Sequence, residues 1–423
     1  MNIALLLLGP GNLRHGRRFL AILGVILLAA GLSIVIDASD TITLITMEGF
    51  GWVMVALGLT KLAFTMMAGG GTPSIFGFQG IVFVVMGLAI GEFPMESRNA
   101  VPWLFGVAML LNGLYQAASA VVIRYPLWGW FLISGIGHMV FGGLMFVDWQ
   151  HAITWVVPLF LGAGLIVLGL SILRTALRVG RYLEGEKGWT PETAVRYFLD
   201  FHVPGRFHKK YLPKDIPPAS ETGTPHGELL VHIWTPTTVA KVDPDANPVS
   251  RYVAARDTEG KYSVGHAALE MSPDVYISHC DGDSTAFDSG NEVLETLRSK
   301  DVPGVFLPSF EEEIETYMQP SVTVRFRNFR EDQLRTFWAV YRSVTAYNFT
   351  NRNCSVAVSL ALEAALMSSV DGGNRIRTLL SLMTNKDVWV ANLIRWKARE
   401  MVWTPGMMLD YALALQRVVE GEC

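Results

Sequence analysis

The sequence predicts a multi-domain protein in which an all-α bundle of six transmembrane helices precedes an α+β soluble domain. Charge is distributed unevenly along the chain. Residues 1–180 carry 8 Lys/Arg and 6 Asp/Glu, and residues 181–423 carry the remaining 26 and 32. Apolar stretches fill the first part, whereas runs of β-forming residues alternate with helical runs in the second. The predicted boundaries are 1–180 for the transmembrane domain, 181–225 for a short helix and linker, 226–370 for the α+β domain and 371–423 for C-terminal helices.

Six apolar stretches in the first part have about the length that crosses a bilayer. The first, FLAILGVILLAAGLSIVI at 19–36, contains no charged residue. Comparable stretches follow at 46–67, 76–92, 101–123, 127–147 and 153–173. Because five more stretches follow the first one, a cleaved signal peptide does not fit it.

Arginines in the short loops predict the orientation of these helices. If the six spans cross the membrane in alternating directions, seven arginines in three loops or flanks lie on the same side of the membrane. They are Arg14, Arg17 and Arg18 before the first span, Arg124 between the fourth and fifth, and Arg174, Arg178 and Arg181 after the sixth. Arg98 is the only cation in the opposite loops. Since cytoplasmic loops are enriched in Lys and Arg, both termini are expected in the cytoplasm.

The apolar part also has an internal repeat. Gly-Leu recurs with a period of 56 residues at Gly31, Gly87 and Gly143, which suggests three copies of a two-helix unit. The alternative is that glycine and leucine are simply common in membrane helices. Trp52, Trp103 and Trp155 likewise recur in alternate spans. With this glycine and tryptophan pattern, residues 10–178 resemble the HdeD family of bacterial inner-membrane proteins linked to acid resistance. The resemblance implies an inner-membrane location, a lipid bilayer as partner and a role in stress or acid response.

The second part reads as mixed α and β. WTPETAVRYFLDF at 189–201 predicts a short helix, and the Pro- and Gly-rich residues 212–227 predict a linker. Predicted strands lie at 228–234, 261–271, 275–280 and 321–328, and predicted helices at 330–344 and 354–370.

Composition excludes several classes of function. Three cysteines without a CxxC pair do not form a disulfide scaffold and fit a reducing compartment. No basic stripe or nucleic-acid motif occurs, so no nucleic-acid partner is expected. No cofactor is expected either. A zinc site made of two histidines and one cysteine would lack a fourth ligand and close pair spacing, so no metal is expected.

Cys354 is the candidate nucleophile. It follows Asn353, a good N-cap residue, and it opens the apolar run CSVAVSLALEAALMSSV. The free N–H groups and the dipole at a helix start favour a thiolate, which is the nucleophilic form of cysteine. The alternative is that Cys354 is a small buried apolar residue.

Two histidines on consecutive predicted strands are candidate partners for that thiol. In HAALEMSPDVYISHC, a four-residue loop at 271–274 would place His266 directly opposite His279. Opposed residues project from the same face of a sheet, so one histidine would orient the other. Cys280 would then point to the opposite face from His279.

These segments resemble the circularly permuted branch of the papain-like NlpC superfamily, which includes lecithin:retinol acyltransferase-like enzymes and PPPDE isopeptidases. The shared features are GHAALEM, a hairpin to YISHC, and YNFTNRNCS opening a helix. The resemblance implies a permuted papain-like fold over residues 226–370, with Cys354 as nucleophile, His266 as base and His279 as orienting residue. Acyltransferase-like members often follow Asn-Cys with an acidic residue and His-Phe, whereas this chain has Ser355-Val356-Ala357.

The expected function is therefore a cysteine peptidase or amidase at the cytoplasmic face of the membrane, acting on a protein or lipid-linked substrate. Two alternatives remain: acyl transfer or thioester hydrolysis on lipid or lipidated substrates, and a non-catalytic membrane stress or scaffold protein. We also expect His232 at a sheet edge or surface, and a solvated face for EEEIE at 311–315. Trp389, Trp396 and Trp403 recur every seven residues near one helical face. We expect their helix to pack onto the soluble domain, and the alternative is that it lies at a membrane surface.

Overall fold

In the computed structural model, the chain divides into two units. One unit comprises Met1–Leu13, Val122–Leu127 and Tyr182–Cys423, and the other comprises Arg14–Val121 and Trp128–Arg181. The structure describes residues 2–36, separate helical residues between 49 and 88, and residues 100–123, 128–147, 159, 162–177, 190–202, 211, 227–243, 250–282, 286–287, 301–370, 375–400 and 402–421. The predicted linker falls almost wholly outside this part of the chain.

The second unit is helical. Its helices include the later part of α1 (Asn2–Ile36), α2 (Ala100–Ile123) and α3 (Trp128–Val147). Within the described residues, α3 is the one helix long and apolar enough to cross a membrane, and Leu20–Ile36 and Gly162–Leu177 are shorter apolar helices.

Glycines bring the helices of this unit into backbone contact. A Cβ built on Gly113 of α2 would lie 2.5 Å from the carbonyl oxygen of Gly135 on α3, and one on Gly142 would lie 2.8 Å from that of Gly106. The same reciprocal contacts recur elsewhere in the unit. In each case two glycines seven residues apart face a second such pair: Gly24 and Gly31 with Gly169 and Gly162, and Gly51 and Gly58 with Gly87 and Gly80. Small residues permit this close approach.

These contacts repeat along the chain in the way that the sequence pattern predicts, with one shift. Gly31, Gly87 and Gly142 occupy equivalent positions. Gly143, which the Gly-Leu pattern singled out, would have no atom within 4 Å of an added Cβ. The residue that recurs is therefore the glycine at the helix contact, and the third copy is displaced by one residue.

The first unit contains a five-stranded antiparallel sheet. Its strands, in spatial order, are β7 (Gly304–Phe306), β5 (Val275–Asp281), β4 (His266–Met271), β1 (Leu229–Trp234) and β8 (Val322–Phe326). A smaller sheet pairs β2 (Ala255–Arg256), β3 (Tyr262–Ser263) and β6 (Ala286–Phe287). The helices are α4 (Pro191–His202), α5 (Pro236–Val239), α6 (Phe310–Thr316), α7 (Glu331–Tyr341), α8 (Cys354–Leu366), α9 (Arg375–Thr384), α10 (Lys386–Glu400) and α11 (Pro405–Glu420).

Both faces of the sheet are covered. Helix α8 packs on β4 and β5, and α11 packs on β1 and β8. The other face carries Trp234, on which the α6 residues Phe310 and Ile314 pack. Strands covered on both faces lack polar alternation, which explains why β1 is apolar at every position except His232.

The expectation that His232 lies at a sheet edge or on the surface is wrong, because its strand β1 lies between β4 and β8 inside the sheet. Its side chain is buried, with Nε2 2.8 Å from a Glu270 carboxylate oxygen and Nδ1 3.0 Å from the Thr323 hydroxyl. Its ring stacks on Phe310 with the centroids 4.2 Å apart.

The start of the chain belongs to the α+β unit rather than to the helical one. Residues 3–8 are buried, and the N–H groups of Ser368 and Val370 donate to the carbonyls of Leu6 and Leu7. Helix α1 is interrupted at Gly9, where φ is +67° and a Cβ would lie 1.6 Å from the Ser368 hydroxyl oxygen. The structure thus divides residues 1–180 differently from the predicted transmembrane domain.

The C-terminal helices also belong to the α+β unit. The Glu363 carboxylate of α8 is buried and accepts hydrogen bonds from Arg395 of α10 and from the Tyr411 hydroxyl of α11. This triad ties the central helix to residues 371–423, which the sequence analysis set apart as a separate segment.

Candidate functional site

Cys354 is the first residue of α8. The Asn353 side-chain oxygen accepts a hydrogen bond from the Val356 N–H at 2.8 Å, which confirms the predicted N-cap. The Asn353 amide also donates to the carbonyls of Phe349 and Trp403, both at 2.9 Å. Cys354 is therefore held at a fixed helix start, and its side chain is 7% exposed.

His266, the first residue of β4, lies beside that thiol, close enough for its charge to act on the thiol pKa. The His266 Nε2 nitrogen is 3.0 Å from a Glu313 carboxylate oxygen and 2.8 Å from the Ser278 hydroxyl. The structure thus brings the predicted nucleophile and the predicted base together.

Glu313 is a site residue that the sequence analysis missed, because we expected 311–315 to be a solvated face. It is buried in α6, while its neighbours Glu311 and Glu312 are exposed. Its second carboxylate oxygen accepts a hydrogen bond from the Tyr276 hydroxyl. A usable signal was present: Phe310, Ile314 and Tyr317 form an apolar stripe at helical spacing, and Glu313 lies within it.

The pKa shifts of these groups form one pattern. Burial by itself raises the pKa of the Cys354 thiol. The positive charge of His266, with hydrogen bonds from His266, Ser355 and the Ala267 N–H, lowers that pKa further than burial raises it. Burial lowers the pKa of His266, but the charges of Cys280, Cys354 and Glu313 raise it well above its ordinary value.

The pKa of Glu313 is lowered as well: burial raises it, and the charge of His266 and three hydrogen bonds outweigh that effect. The positive charge of the His266 imidazolium thus favours both the Cys354 thiolate and the Glu313 carboxylate, and each of these anions favours the imidazolium. Within this arrangement the thiol is activated as a nucleophile.

Tyr347 adds a hydroxyl group next to the nucleophile. Its oxygen lies near the backbone N–H of Cys354, and burial raises the pKa of this tyrosine well above its usual value. The hydroxyl therefore stays protonated at neutral pH, so a neutral O–H lies beside the first N–H of α8.

The predicted pairing of His266 with His279 is wrong in register. Met271 pairs with Val275 and Ala268 with Ser278, so the loop holds three residues rather than four. A shift of one residue turns a side chain to the other face of a sheet. Ser278 and Cys280 therefore share the face of His266, while His279 points away from it.

His279 lies instead in a packed environment. Its Nδ1 is 3.2 Å from the Tyr341 hydroxyl, and its Nε2 donates to the Thr345 carbonyl at 3.2 Å. The ring centroid is 4.5 Å from that of Phe306. Burial is the main cause that lowers its pKa to about 3, so the ring stays neutral. The structure gives it the surroundings of a packing residue, and Glu313 occupies the orienting position beside His266.

Cys280 is the second thiol near His266. As predicted, it points away from the His279 side, and its sulfur is 3.9 Å from both the His266 Nε2 and the Ser278 hydroxyl. It is more exposed than Cys354. Cys423 lies outside the described residues. Within the part of the chain that is described, no group of three or more His, Cys, Asp or Glu side chains is arranged to hold a metal ion.

Comparison with known proteins bears on the helical unit. Residues 78–147, which contain α2 and α3, match a family described as a short repeat of unknown function (DUF308). This family is HdeD-like and membrane-associated, in agreement with the apolar α3 and with the repeat. No curated protein and no solved structure matches the chain. The helical unit therefore contains a segment similar to this membrane-associated repeat family, and the candidate site lies in the α+β unit.

Proposed function

We propose that the protein is a membrane-tethered thiol hydrolase of the cysteine peptidase or amidase type. One observation carries the proposal: the N-capped Cys354 lies beside His266, whose charge lowers the pKa of the thiol, and the buried Glu313 carboxylate holds the Nε2 of that histidine. A nucleophile, a base and an orienting acid in this order form the general arrangement of nucleophilic catalysis.

The reaction follows from the positions of these groups. The Cys354 thiolate attacks a carbonyl carbon, and the His266 imidazolium gives its proton to the departing amine or alkoxide, leaving a thioester. Neutral His266 then takes a proton from water, which attacks the thioester and releases the acid and the thiolate. Glu313 keeps the imidazole in place and stabilises its charged form.

Developing negative charge on the carbonyl oxygen requires donors near Cys354. The Cys354 N–H and the Tyr347 hydroxyl lie near each other at the helix start. In this proposal they separate when substrate binds, and both then donate to the oxyanion.

The order of the site along the chain supports a permuted papain-like fold. The histidine strand β4 precedes the nucleophile helix α8, and α8 packs across β4 and β5. Helix α6, which carries Glu313, lies on the opposite face of the sheet.

The membrane arrangement that we propose has six spans, with both termini in the cytoplasm of a bacterial inner membrane. Arginine placement supports it. An independent argument is that residues 3–8 pack in the α+β unit, so the chain between Leu13 and Tyr182 must cross a membrane an even number of times. Reporters fused before Met1 and after Cys423 should both give cytoplasmic signals. Opposite signals from the two ends would contradict this topology.

Acyl transfer to a lipid or lipidated protein is the second candidate, since a thioester on Cys354 can pass to an alcohol as readily as to water. The membrane-associated segment favours it. The sequence Ser355-Val356-Ala357, where acyltransferase-like proteins have an acidic residue and His-Phe, favours hydrolysis.

Thiol labelling tests the proposal. Full-length protein in membranes is treated with an iodoacetamide probe at neutral pH, and the labelled peptide is identified by mass spectrometry. We expect labelling of Cys354, loss of this label in Cys354→Ser, and its retention in the matched variant Cys280→Ala. Turnover of model amides, esters and thioesters, with and without an alcohol acceptor, then separates hydrolysis from transfer. An unreactive Cys354 beside a reactive Cys280 would refute the assignment, and so would full turnover by Cys354→Ser.

A further inference from the structure

One face of α10 is exposed and carries large apolar side chains. Trp389 and Trp396 are 52% and 49% exposed, and the partly exposed Leu393 lies between them. The spacing of three and four residues places all three side chains along one side of the helix. The other side packs inward through Val388, Ala391, Ile394, Arg395 and Ala398.

The three tryptophans differ in their surroundings. Helix α10 does pack onto the α+β unit, but two of its tryptophans face outward. Trp403 follows the helix and packs against Tyr411, with ring centroids 5.0 Å apart. Trp403 therefore continues the seven-residue spacing of the tryptophans in the sequence, but it does not belong to the exposed face of α10.

Charge on this face is positive. Lys386 is exposed at the start of the helix, and the Lys397 ammonium lies 4.6 Å from the centroid of the Trp396 ring. Between 386 and 397 the single acidic residue is Asp387, which is buried and accepts a hydrogen bond from Arg417. Tryptophan beside lysine suits the headgroup layer of a bilayer, where the ring finds both apolar and polar surroundings and the ammonium meets lipid phosphates.

Helix α10 contacts the N-terminal segment of the chain. The Asn392 side-chain oxygen accepts a hydrogen bond from the Ile3 N–H. Ile3 lies in the buried N-terminal segment, which continues through α1 into the apolar helix Leu20–Ile36.

We propose that this face of α10 docks on the bilayer in which the chain's own apolar helices lie. Trp389, Leu393 and Trp396 would enter the headgroup layer, and Lys386 and Lys397 would bind the phosphates of anionic lipids. A second copy of the chain or another protein on this face is the competing possibility. The combination of exposed tryptophan with lysine and without exposed acid favours lipid.

The test uses the full-length chain in nanodiscs, in a background in which Cys280, Cys354 and Cys423 are each changed to Ala. An environment-sensitive fluorophore is attached at Trp396→Cys, and at the matched control Val305→Cys, whose native side chain is 44% exposed on β7. Quenching is measured with doxyl-labelled phosphatidylcholine, with and without phosphatidylglycerol. We expect quenching at position 396 but not at 305, an increase with phosphatidylglycerol, and its loss in Lys386→Glu/Lys397→Glu.

Three results would overturn the proposal. One is equal quenching at the two positions, and another is no quenching at 396. The third is quenching at 396 that changes neither when phosphatidylglycerol is added nor in Lys386→Glu/Lys397→Glu. A label at 396 that is shielded only when two copies share a nanodisc would assign the face to self-association instead. Because the background lacks Cys354, none of these outcomes depends on the proposed thiol chemistry.

Discussion

Three side chains determine the chemistry of the candidate site, and they come from three different elements. Cys354 lies at the start of α8, His266 at the start of β4 and Glu313 in α6. The Glu313 carboxylate orients His266, which is the role that we expected His279 to have. A charged partner favours the imidazolium more strongly than a neutral ring, since opposite charges at hydrogen-bond distance stabilise each other.

The first prediction separates these roles by substitution. His266→Ala removes the base, so turnover should fall by about 10²–10⁴-fold. Glu313→Gln retains a hydrogen-bonding side chain without the charge and should lose less. His279→Asn, away from the thiol, should keep most of the turnover while lowering the melting temperature. Steady-state rates and thermal unfolding measured on the same preparations check this order. Turnover by His279→Asn as low as that by His266→Ala would restore His279 to the site.

The second prediction concerns the pH dependence of thiol alkylation. The pKa of Cys354 is lowered and that of His266 is raised, so the thiolate persists below the ordinary thiol pKa of about 8.5. The alkylation rate should therefore rise with pH through a midpoint below that value. Glu313→Gln removes a charge that raises the pKa of His266, so it should move the midpoint upward. A midpoint at or above the ordinary value in the unsubstituted protein would exclude the ion pair.

At the scale of the element, helix ends and strand registers position the site. The N-cap of α8 is a local feature: one side chain and one N–H three residues later suffice for it. The hairpin register is local as well, but it depends on whether the turn holds three or four residues. The pattern of apolar residues did not distinguish the two, because β4 and β5 are buried on both faces.

The third prediction tests whether the cap positions the nucleophile. Asn353→Ala should cost about 1 kcal/mol, or about 2–4 °C in melting temperature, and should slow alkylation of Cys354. The matched control is Thr404→Ala, which removes the cap of α11, where the Thr404 side chain accepts from the Met407 N–H. The control should lose similar stability with no change in alkylation. Equal slowing by both variants would mean that the effect is one of general stability.

The fourth prediction concerns the helical unit. A side chain at Gly113 would collide with the backbone of α3, so Gly113→Val should force α2 and α3 apart and lower thermal stability in detergent. At Gly143, also helical, a Cβ meets no atom within 4 Å, so Gly143→Val is the matched control and should be tolerated. Fluorescence-detected size exclusion after heating gives the comparison. If both variants lose the folded peak at the same temperature, the glycine contacts do not hold the pair together.

At the scale of the whole molecule, the first residues of the chain belong with the last. The segment 3–8 is buried in the α+β unit, and a backbone turn at Gly9 separates it from the rest of α1. The helical unit is therefore inserted, in sequence, into the unit that carries the candidate site. An N-terminal truncation would remove part of a core rather than a free end.

The fifth prediction follows from that turn. Gly9→Ala places a side chain at a positive φ, which costs about 1–3 kcal/mol, and sets its Cβ against Ser368. The melting temperature of the α+β unit and its resistance to limited proteolysis should both fall. Gly227→Ala is the control, since a Cβ there meets no atom within 4 Å. An unchanged melting temperature for Gly9→Ala would show that the N-terminal segment adds no stability.

The sequence by itself determined the features that depend on neighbouring residues. Charge depletion and apolar length indicated a membrane-associated helical part, and the match of residues 78–147 agrees with this. Asn353 indicated the start of α8, and the alternation of a strand placed Cys280 and His279 on opposite faces. These features follow from backbone geometry, which repeats every 3.6 residues in a helix and every two in a strand.

Only the tertiary structure decided which distant groups meet. Glu313 reaches His266 because α6 folds over the face of the sheet opposite α8. The N-terminal leucines are buried because residues 368–370 pair with them through backbone hydrogen bonds. In both cases the stabilising free energy of the contact comes from burial and hydrogen bonding between segments that are far apart in the chain. A local pattern indicates that a residue is apolar or charged, whereas the partner that compensates its burial is set by how the elements pack.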